Sequence, residues 1–140
     1  MFQSRSKLDA TFDVNTAKGP VFSTAIVSGV MAAKKTSDLI PFCHSLNLDK
    51  CDITINKVDE FYDTTVGRKA TDTSRICLQV ECVVSTSGRT GVEMEALVGA
   101  TASALCIYDM LKAVSHDILI SDVCLMHKSG GKTTFNRGAS

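Results

Sequence analysis

The 140-residue chain has the length of one domain, and its 15 Lys+Arg against 15 Asp+Glu leave no net charge at neutral pH. That balance argues against a protein that binds nucleic acid or an anionic membrane through its overall charge. With no Trp and two Tyr, there is also little aromatic surface for stacking single-stranded bases. Hydrophobic residues at 44% and charged residues at 21% fit a folded globular chain and not a disordered one.

No uninterrupted apolar run reaches the roughly 18 residues of a membrane helix. The first twenty residues, MFQSRSKLDATFDVNTAKGP, hold no apolar h-region of a secretory signal. The expected setting is therefore the cytoplasm, or an organelle matrix in a eukaryote, with neither a membrane nor a nucleic acid as partner. The six cysteines are Cys43, Cys51, Cys77, Cys82, Cys106 and Cys124, and none forms a CxxC pair. Disulfides are not expected without export, and most of these thiols read as small buried hydrophobes, with Cys43 left open.

Residues 1–15 alternate weakly through Leu8, Ala10, Phe12 and Val14. Pro20 suits the first turn of a helix, where its missing N–H would have no partner anyway. Phe22, Ile26, Gly29, Val30 and Ala33 then recur at helical spacing, which predicts a helix over about 20–36. Pro41 stops any continuation, so LIPFCHSLNL (39–48) is a loop carrying Cys43-His44. Cys51, Ile53 and Ile55 alternate with Asp52, Thr54 and Asn56, which predicts a strand over about 48–57. Residues 58–73 read as a long polar connection. Ile76, Leu78, Val80, Cys82 and Val84 give the clearest strand pattern, and SGRTG (87–91) breaks it.

The longest helical pattern covers 92–115, with Val92, Ala96, Gly99, Ser103, Ile107, Met110 and Val114 on one stripe. Thr90-x-x-Glu93 has the form of a capping box at its start. A last strand is expected over about 118–127, followed by the glycine loop Lys128-Ser-Gly-Gly-Lys132 and a short polar tail. Segments 1–15 and 133–140 are expected to be loosely ordered parts of a single domain, 1–140. The order α-β-β-α-β points to an α+β fold, an antiparallel sheet with helices packed on one face.

Four features carry possible chemistry. The glycine loop with its two lysines can cradle an anion, or it can be a turn with surface lysines. It is not a P-loop, because Met126 stands where the first glycine would be and no helix pattern follows. His44, on a loop, can serve as acid, base or phosphate donor, or merely as a hydrogen-bonded surface group. No spacing of His44, His116 and His127 supports a metal site. Glu93 and Glu95 favour the positive end of the long helix and can also read hydrogen-bond donors of a base such as guanine. Asp109 and Lys112, spaced i,i+3 among Ile107, Tyr108, Met110, Leu111 and Val114, form a charged pair whose apolar setting suggests partial burial and shifted pKa values. Glu95 and Asp109 lie 14 residues apart, about 21 Å along an unbroken helix, so a site using both would combine two subunits.

Asp38-Leu-Ile-Pro-Phe-Cys-His44, Gly88-Arg-Thr-Gly-Val-Glu-Met-Glu-Ala-Leu97, Ile107-Tyr-Asp-Met-Leu-Lys-Ala-Val114 and Lys128-Ser-Gly-Gly-Lys132 together resemble the cyclic pyranopterin monophosphate synthases, the C proteins of molybdenum cofactor biosynthesis. The resemblance covers roughly residues 16–133 with every block in order. It implies a ferredoxin-like fold and a homohexamer, a trimer of dimers with active sites at subunit interfaces. The implied reaction turns 3′,8-cyclo-7,8-dihydro-GTP into cyclic pyranopterin monophosphate and pyrophosphate. Matched by position, the family's catalytic Asp and Lys fall on Asp109 and Lys112. Its substrate contacts fall on Lys18, Phe42, Cys43, His44, Glu93, Met94, Glu95, Lys128 and Lys132.

No metal site is implied and no cofactor is required, apart from a Mg2+ ion that the triphosphate could carry with it. Family members begin with a further segment holding an Asp-Val-Ser run and a basic residue, and Met1 falls inside that region here. Lys18-Gly19-Pro20 stands where the family has Lys-Gly-Asp, and Thr133-Thr134-Phe135 where it has Gly-Asp-Phe. The shortened start keeps a second function in view, a non-catalytic oligomeric nucleotide-binding protein of the same fold. A third is a small structural assembly domain, in which Lys128 and Lys132 would be expendable.

Overall fold

The computed structural model describes residues 13–58 and 76–138, together with the backbone of 60–63 and 68–71. The alternation through Leu8, Ala10 and Phe12 lies outside the described residues, as do residues 139–140. Its elements, in chain order, are β1 (Asn15–Thr16), β2 (Gly19–Pro20), α1 (Val21–Lys34), α2 (Thr36–Leu39), β3 (Lys50–Val58), β4 (Glu60–Asp63), β5 (Arg68–Thr71), β6 (Cys77–Ser85), α3 (Glu93–Leu111), β7 (His127–Lys128) and β8 (Phe135–Asn136). The architecture is α+β, and every strand pair is antiparallel.

The main sheet is β3 against β6, in the register Cys51↔Val84, Ile53↔Cys82 and Ile55↔Val80. Strand alternation sends these six side chains to one face and leaves Asp52, Thr54 and Glu81 exposed on the other. Helices α1 and α3 cover the first face. They run antiparallel, because Ala25 meets Ser103 while Ala33, further along α1, meets Gly99, earlier along α3.

The contact line between the helices is built from small residues. α1 buries Val21, Ala25, Gly29 and Ala33, and α3 buries Glu95, Gly99, Ser103, Ile107 and Met110. A Cβ on Gly29 would lie 2.1 Å from Ser103 Oγ, 2.3 Å from Ile53 Cδ1 and 2.7 Å from the Gly99 carbonyl oxygen. The Ser103 hydroxyl donates to the Ala25 carbonyl at 2.9 Å, which satisfies a polar group inside the contact. Val21, Ala25, Ile107 and Met110 form the core cluster at the wider end, flanked by Phe22, Ile55, Leu78 and Val80. Each buried Val, Ile or Met there contributes about 1.5–3 kcal/mol.

α1 starts on Pro20, which contributes no side-chain cap. Its orphan donors are met from outside the helix: Asp13 accepts from the Phe22 and Ser23 N–H groups at 2.7 and 2.9 Å and from the Ser23 hydroxyl at 2.6 Å. Burial alone would raise the Asp13 pKa, but these hydrogen bonds outweigh it and hold the carboxyl below its ordinary range.

Four expectations need correction. The connection expected over 58–73 contains the β4–β5 hairpin. The last strand expected over 118–127 is reduced to His127–Lys128, and residues 116–126 run without regular structure. The helix expected over 92–115 ends at Leu111, where Lys112 caps it through its N–H to the Tyr108 carbonyl. Its capping box does not form, since Val92 is the N-cap, no side chain caps it, and Glu93 turns to another partner. α3 is nonetheless 19 residues long and apolar enough to cross a membrane by length and composition. Its Gly-Ser stripe is packed on α1 and β6, which gives it the role of a core helix.

Candidate functional site

The sequence-selected residues gather in two charged clusters at the two ends of α3. At its C-terminal end Asp109 stands between two ammonium groups. Lys112 Nζ lies 2.7 Å from Asp109 Oδ1, one helical turn on, and Lys18 Nζ lies 2.7 Å from Asp109 Oδ2. Lys18 also donates to the Asp109 carbonyl oxygen at 3.2 Å. It sits in the tight β1–β2 turn, where Gly19 has φ +109° and the Lys18 N–H donates to Thr16 Oγ1 at 3.2 Å. That turn carries Lys18 across 91 residues of sequence to the helix end.

A carboxylate in the last turn of a helix faces the negative end of the helix dipole, and the two lysines offset that repulsion. Lys112 and then Lys18 pull the Asp109 pKa down to about 2. The Lys112 ammonium is in turn held above its ordinary value by Asp109. The expected burial of this pair is not found, because about half of each side chain is exposed. Charge pairing, not desolvation, shifts these groups. At neutral pH the cluster carries two positive charges against one negative, so it offers an anion two ammonium groups already held in place.

At the N-terminal end Lys128 pairs with Glu93, both about 30% exposed. The hydrogen bond from Lys128 holds the Glu93 carboxyl below its ordinary pKa. Gly91 leaves room for this, since a Cβ there would lie 2.1 Å from Glu93 Oε2. Glu93 and Glu95 diverge, as residues two apart on a helix do. Glu95 lies on the buried stripe of α3 and is 4% exposed, while Met94 is at the surface.

Lys132 is exposed on the loop tip, where Gly130 and Gly131 adopt φ +83° and +69°. Phe42 is 97% exposed on the loop after α2, Cys43 is half-buried, and His44 is exposed. This loop belongs to the same end of the fold as Glu93, since Thr86 Oγ1, just past β6, donates to the Asn47 carbonyl at 2.8 Å.

Glu93 and Asp109 are 16 residues apart on one unbroken helix, an axial separation of about 24 Å. One chain therefore does not bring the two clusters together. Three groups near the clusters escaped the sequence reading. Asp13 carries no local cap pattern before α1, and His127 and Arg137 show no motif at all. Arg137 becomes legible only once β7 and β8 are seen to pair. Among the described residues, no three His, Cys, Asp or Glu side chains converge as a metal site.

Comparison with known proteins places these clusters in a family context. The model of the MoaC family matches residues 2–131. "Molybdenum cofactor biosynthesis protein 1" of Dictyostelium discoideum is 48% identical over 122 residues, which is 87% of this chain and 17% of that protein. The "Molybdenum cofactor biosynthesis bifunctional protein" of Synechocystis is 49% identical over 82% of this chain and 30% of its own length. The "Cyclic pyranopterin monophosphate synthase" of Staphylococcus carnosus is 46% identical over 86% of this chain and 67% of its own length. The chain thus spans 17% and 30% of the length of the first two relatives and two thirds of the third. The family match takes in Lys18, Glu93, Asp109, Lys112 and Lys128, and on that match and these identities the chain belongs to the MoaC family.

Proposed function

We propose that this chain converts 3′,8-cyclo-7,8-dihydro-GTP into cyclic pyranopterin monophosphate and pyrophosphate, as the lyase of its family. The observation that carries the reading is the Lys18–Asp109–Lys112 cluster. In the phosphate step a ribose hydroxyl attacks the α-phosphorus, and its proton passes through Lys112, which gives one to the leaving pyrophosphate and is recharged from the hydroxyl. A new P–O bond closes the cyclic phosphate, the α–β anhydride bond breaks, and pyrophosphate leaves with the bonding electrons.

Lys112 is the acid–base group, its ammonium oriented by Asp109 and able to give a proton to an oxygen or ring nitrogen that gains charge. Asp109, ionised across the physiological range, accepts from both lysines and fixes their geometry. Lys18, Lys128 and Lys132 compensate the polyphosphate charge. Glu93 reads the guanine-derived donors, whereas Glu95, 4% exposed, does not reach them; Met94, Phe42, Cys43 and His44 line the approach. No cofactor enters these steps, and a Mg2+ ion, if present, would ride on the phosphate oxygens. The reading places the protein in the cytoplasm or an organelle matrix.

The same reading makes the working unit an oligomer, a homohexamer with a ferredoxin-like subunit, in which one subunit's Glu93–Lys128 end meets another's Asp109 end. Exposed apolar side chains on regular elements support assembly: Val27 and Met31 one turn apart on α1, Leu105 on α3 and Val83 on β6 are each 50–59% exposed. The strand-patterned segment 118–126, without a strand partner within the described residues, adds Leu119 and Val123 to that surface.

The test is one assay of the purified chain with 3′,8-cyclo-7,8-dihydro-GTP, following pyrophosphate and the oxidised fluorescent pterin. Both products are expected, and Asp109→Asn should abolish them while substrate still binds. Binding without product in the wild type would replace this reading with a non-catalytic nucleotide-binding protein.

A further inference from the structure

The glycine loop is closed by a segment to which no role has been given. β7 and β8 pair as His127↔Asn136 and Lys128↔Phe135, so they enclose Ser129 to Thr134. The next residue, Arg137, fastens the base of this hairpin twice. Its backbone N–H donates to the Met126 carbonyl at 2.8 Å, and its Nε donates to the Leu125 carbonyl at 2.9 Å. Its guanidinium carbon lies 5.5 Å from the centre of the Phe135 ring, within cation–π range. His127 Nδ1 and Asn136 Oδ1 meet across the first register pair. Arg137 is half-buried in a stretch, 131–138, that is otherwise exposed.

These contacts matter because of what they hold. A loop with two consecutive glycines at positive φ has little stiffness of its own. Without a fixed base, Lys128 and Lys132 would each lose conformational freedom when they meet a ligand, and that cost weakens binding. With the base fixed, Lys128 already points at Glu93 and the tip of the loop is defined. The Arg137 Nε donates to the Leu125 carbonyl and its guanidinium faces the Phe135 ring, contacts that tie it to the base of the loop and so give it a way to act through the loop.

We propose that Arg137, assisted by the His127–Asn136 pair, is a positioning residue that sets Lys128 and Lys132 for the polyphosphate of the substrate. The inference rests on the function proposed above. Its distinguishing feature is that phosphate affinity depends on a side chain that never touches phosphate.

Inorganic pyrophosphate is the probe, titrated by calorimetry into the intact protein, Arg137→Ala, Arg137→Lys and Lys132→Ala. Arg137→Ala should bind about tenfold more weakly, as Lys132→Ala should, with an unchanged melting temperature. Arg137→Lys keeps a cation near the Phe135 ring and a donor for the Leu125 carbonyl, and it should recover most of the loss. In turnover, Arg137→Ala should raise KM and leave kcat nearly unchanged, the pattern of an interaction made equally in ground and transition states. Wild-type affinity in Arg137→Ala would overturn the proposal. So would a loss of kcat that follows a lowered melting temperature, which would make Arg137 a residue that holds the fold. If the wild type bound no pyrophosphate, the proposed function would fail first, and this inference with it.

Discussion

Asp109, held between two lysines, carries the sharpest expectation at the scale of a single residue. Its carboxyl titrates at about 2 against an ordinary 3.8 because two ammonium groups stand 2.7 Å away. Lys112→Ala removes the larger influence, so the Asp109 carboxyl signal followed by NMR should move its midpoint upward toward 3.8 while Lys18 still holds it below. A pKa depressed on folding stabilises the protein above the unfolded value, and that contribution is lost as pH falls toward 2. Lys112 has the opposite sign: its raised pKa stabilises below the unfolded value and is lost as pH rises past it. Both groups are half exposed, so these contributions to stability are small, and under the proposed function the consequence falls on turnover. Lys112→Ala should therefore fold normally and lose about 10²–10⁴-fold in kcat. Loss of the oligomer at normal subunit stability would show instead that Lys112 holds an interface. Cys82 gives a second test at this scale. Burial pushes its thiol up to about 12, so iodoacetamide at pH 8 should leave it unlabelled in the native protein and label it fully in urea.

The α1–α3 contact is the element on which both clusters depend, because it fixes the helix that carries them. Gly29→Ala places a methyl group against the Gly99 backbone carbonyl, and a backbone neighbour cannot swing aside as a side-chain tip does. The expected cost is about 1–3 kcal/mol, read from urea unfolding as a lower midpoint at unchanged slope. The helices were legible from their 3.6-residue period, and so was most of the α3 side of their contact line, since Gly99, Ser103, Ile107 and Met110 lie on the stripe read from the sequence; on α1 that reading held Gly29 and Ala33 but not Val21 and Ala25. Large apolar residues such as Phe22, Ile26 and Val30 mark the apolar side of α1, yet they end up half-buried beside the line. Val21, Ala25, Gly29 and Ala33 occupy it, because at the closest approach only small side chains fit. The β4–β5 hairpin was hidden for another reason: Glu60-Phe-Tyr-Asp63 and Arg68-Lys-Ala-Thr71 carry no apolar alternation, and only their pairing marks them as strands. The strand pattern over 118–126 was read where no strand forms, since a period of two records what a segment can pair with and not whether a partner is within the same chain.

At the scale of the whole molecule, spacing alone separated the clusters. Residues 14 to 16 apart on one helix cannot meet over a single small substrate, and α3 proves continuous over the whole interval. What spacing could not reveal was Lys18, since its meeting with Asp109 is a product of the folded chain and not of local pattern. The separation leads to a test that does not depend on how the subunits are arranged. Lys128→Ala disables the N-terminal end of α3 and Asp109→Asn the C-terminal end, so each variant alone should be inactive or nearly so. Co-expressed under separate tags and isolated as hybrids, the two should regain activity. A site shared between two chains is intact only when each contributes its undamaged end, which random mixing gives in about one quarter of sites. A recovery near that fraction, absent when the separately purified variants are assayed without exchange, would place the working site between subunits. No recovery from verified hybrids would mean that each chain works alone. The 24 Å along α3 would then have to be bridged by the substrate itself or by a rearrangement of the 127–137 hairpin, and Lys128 would no longer belong with Asp109 in one site.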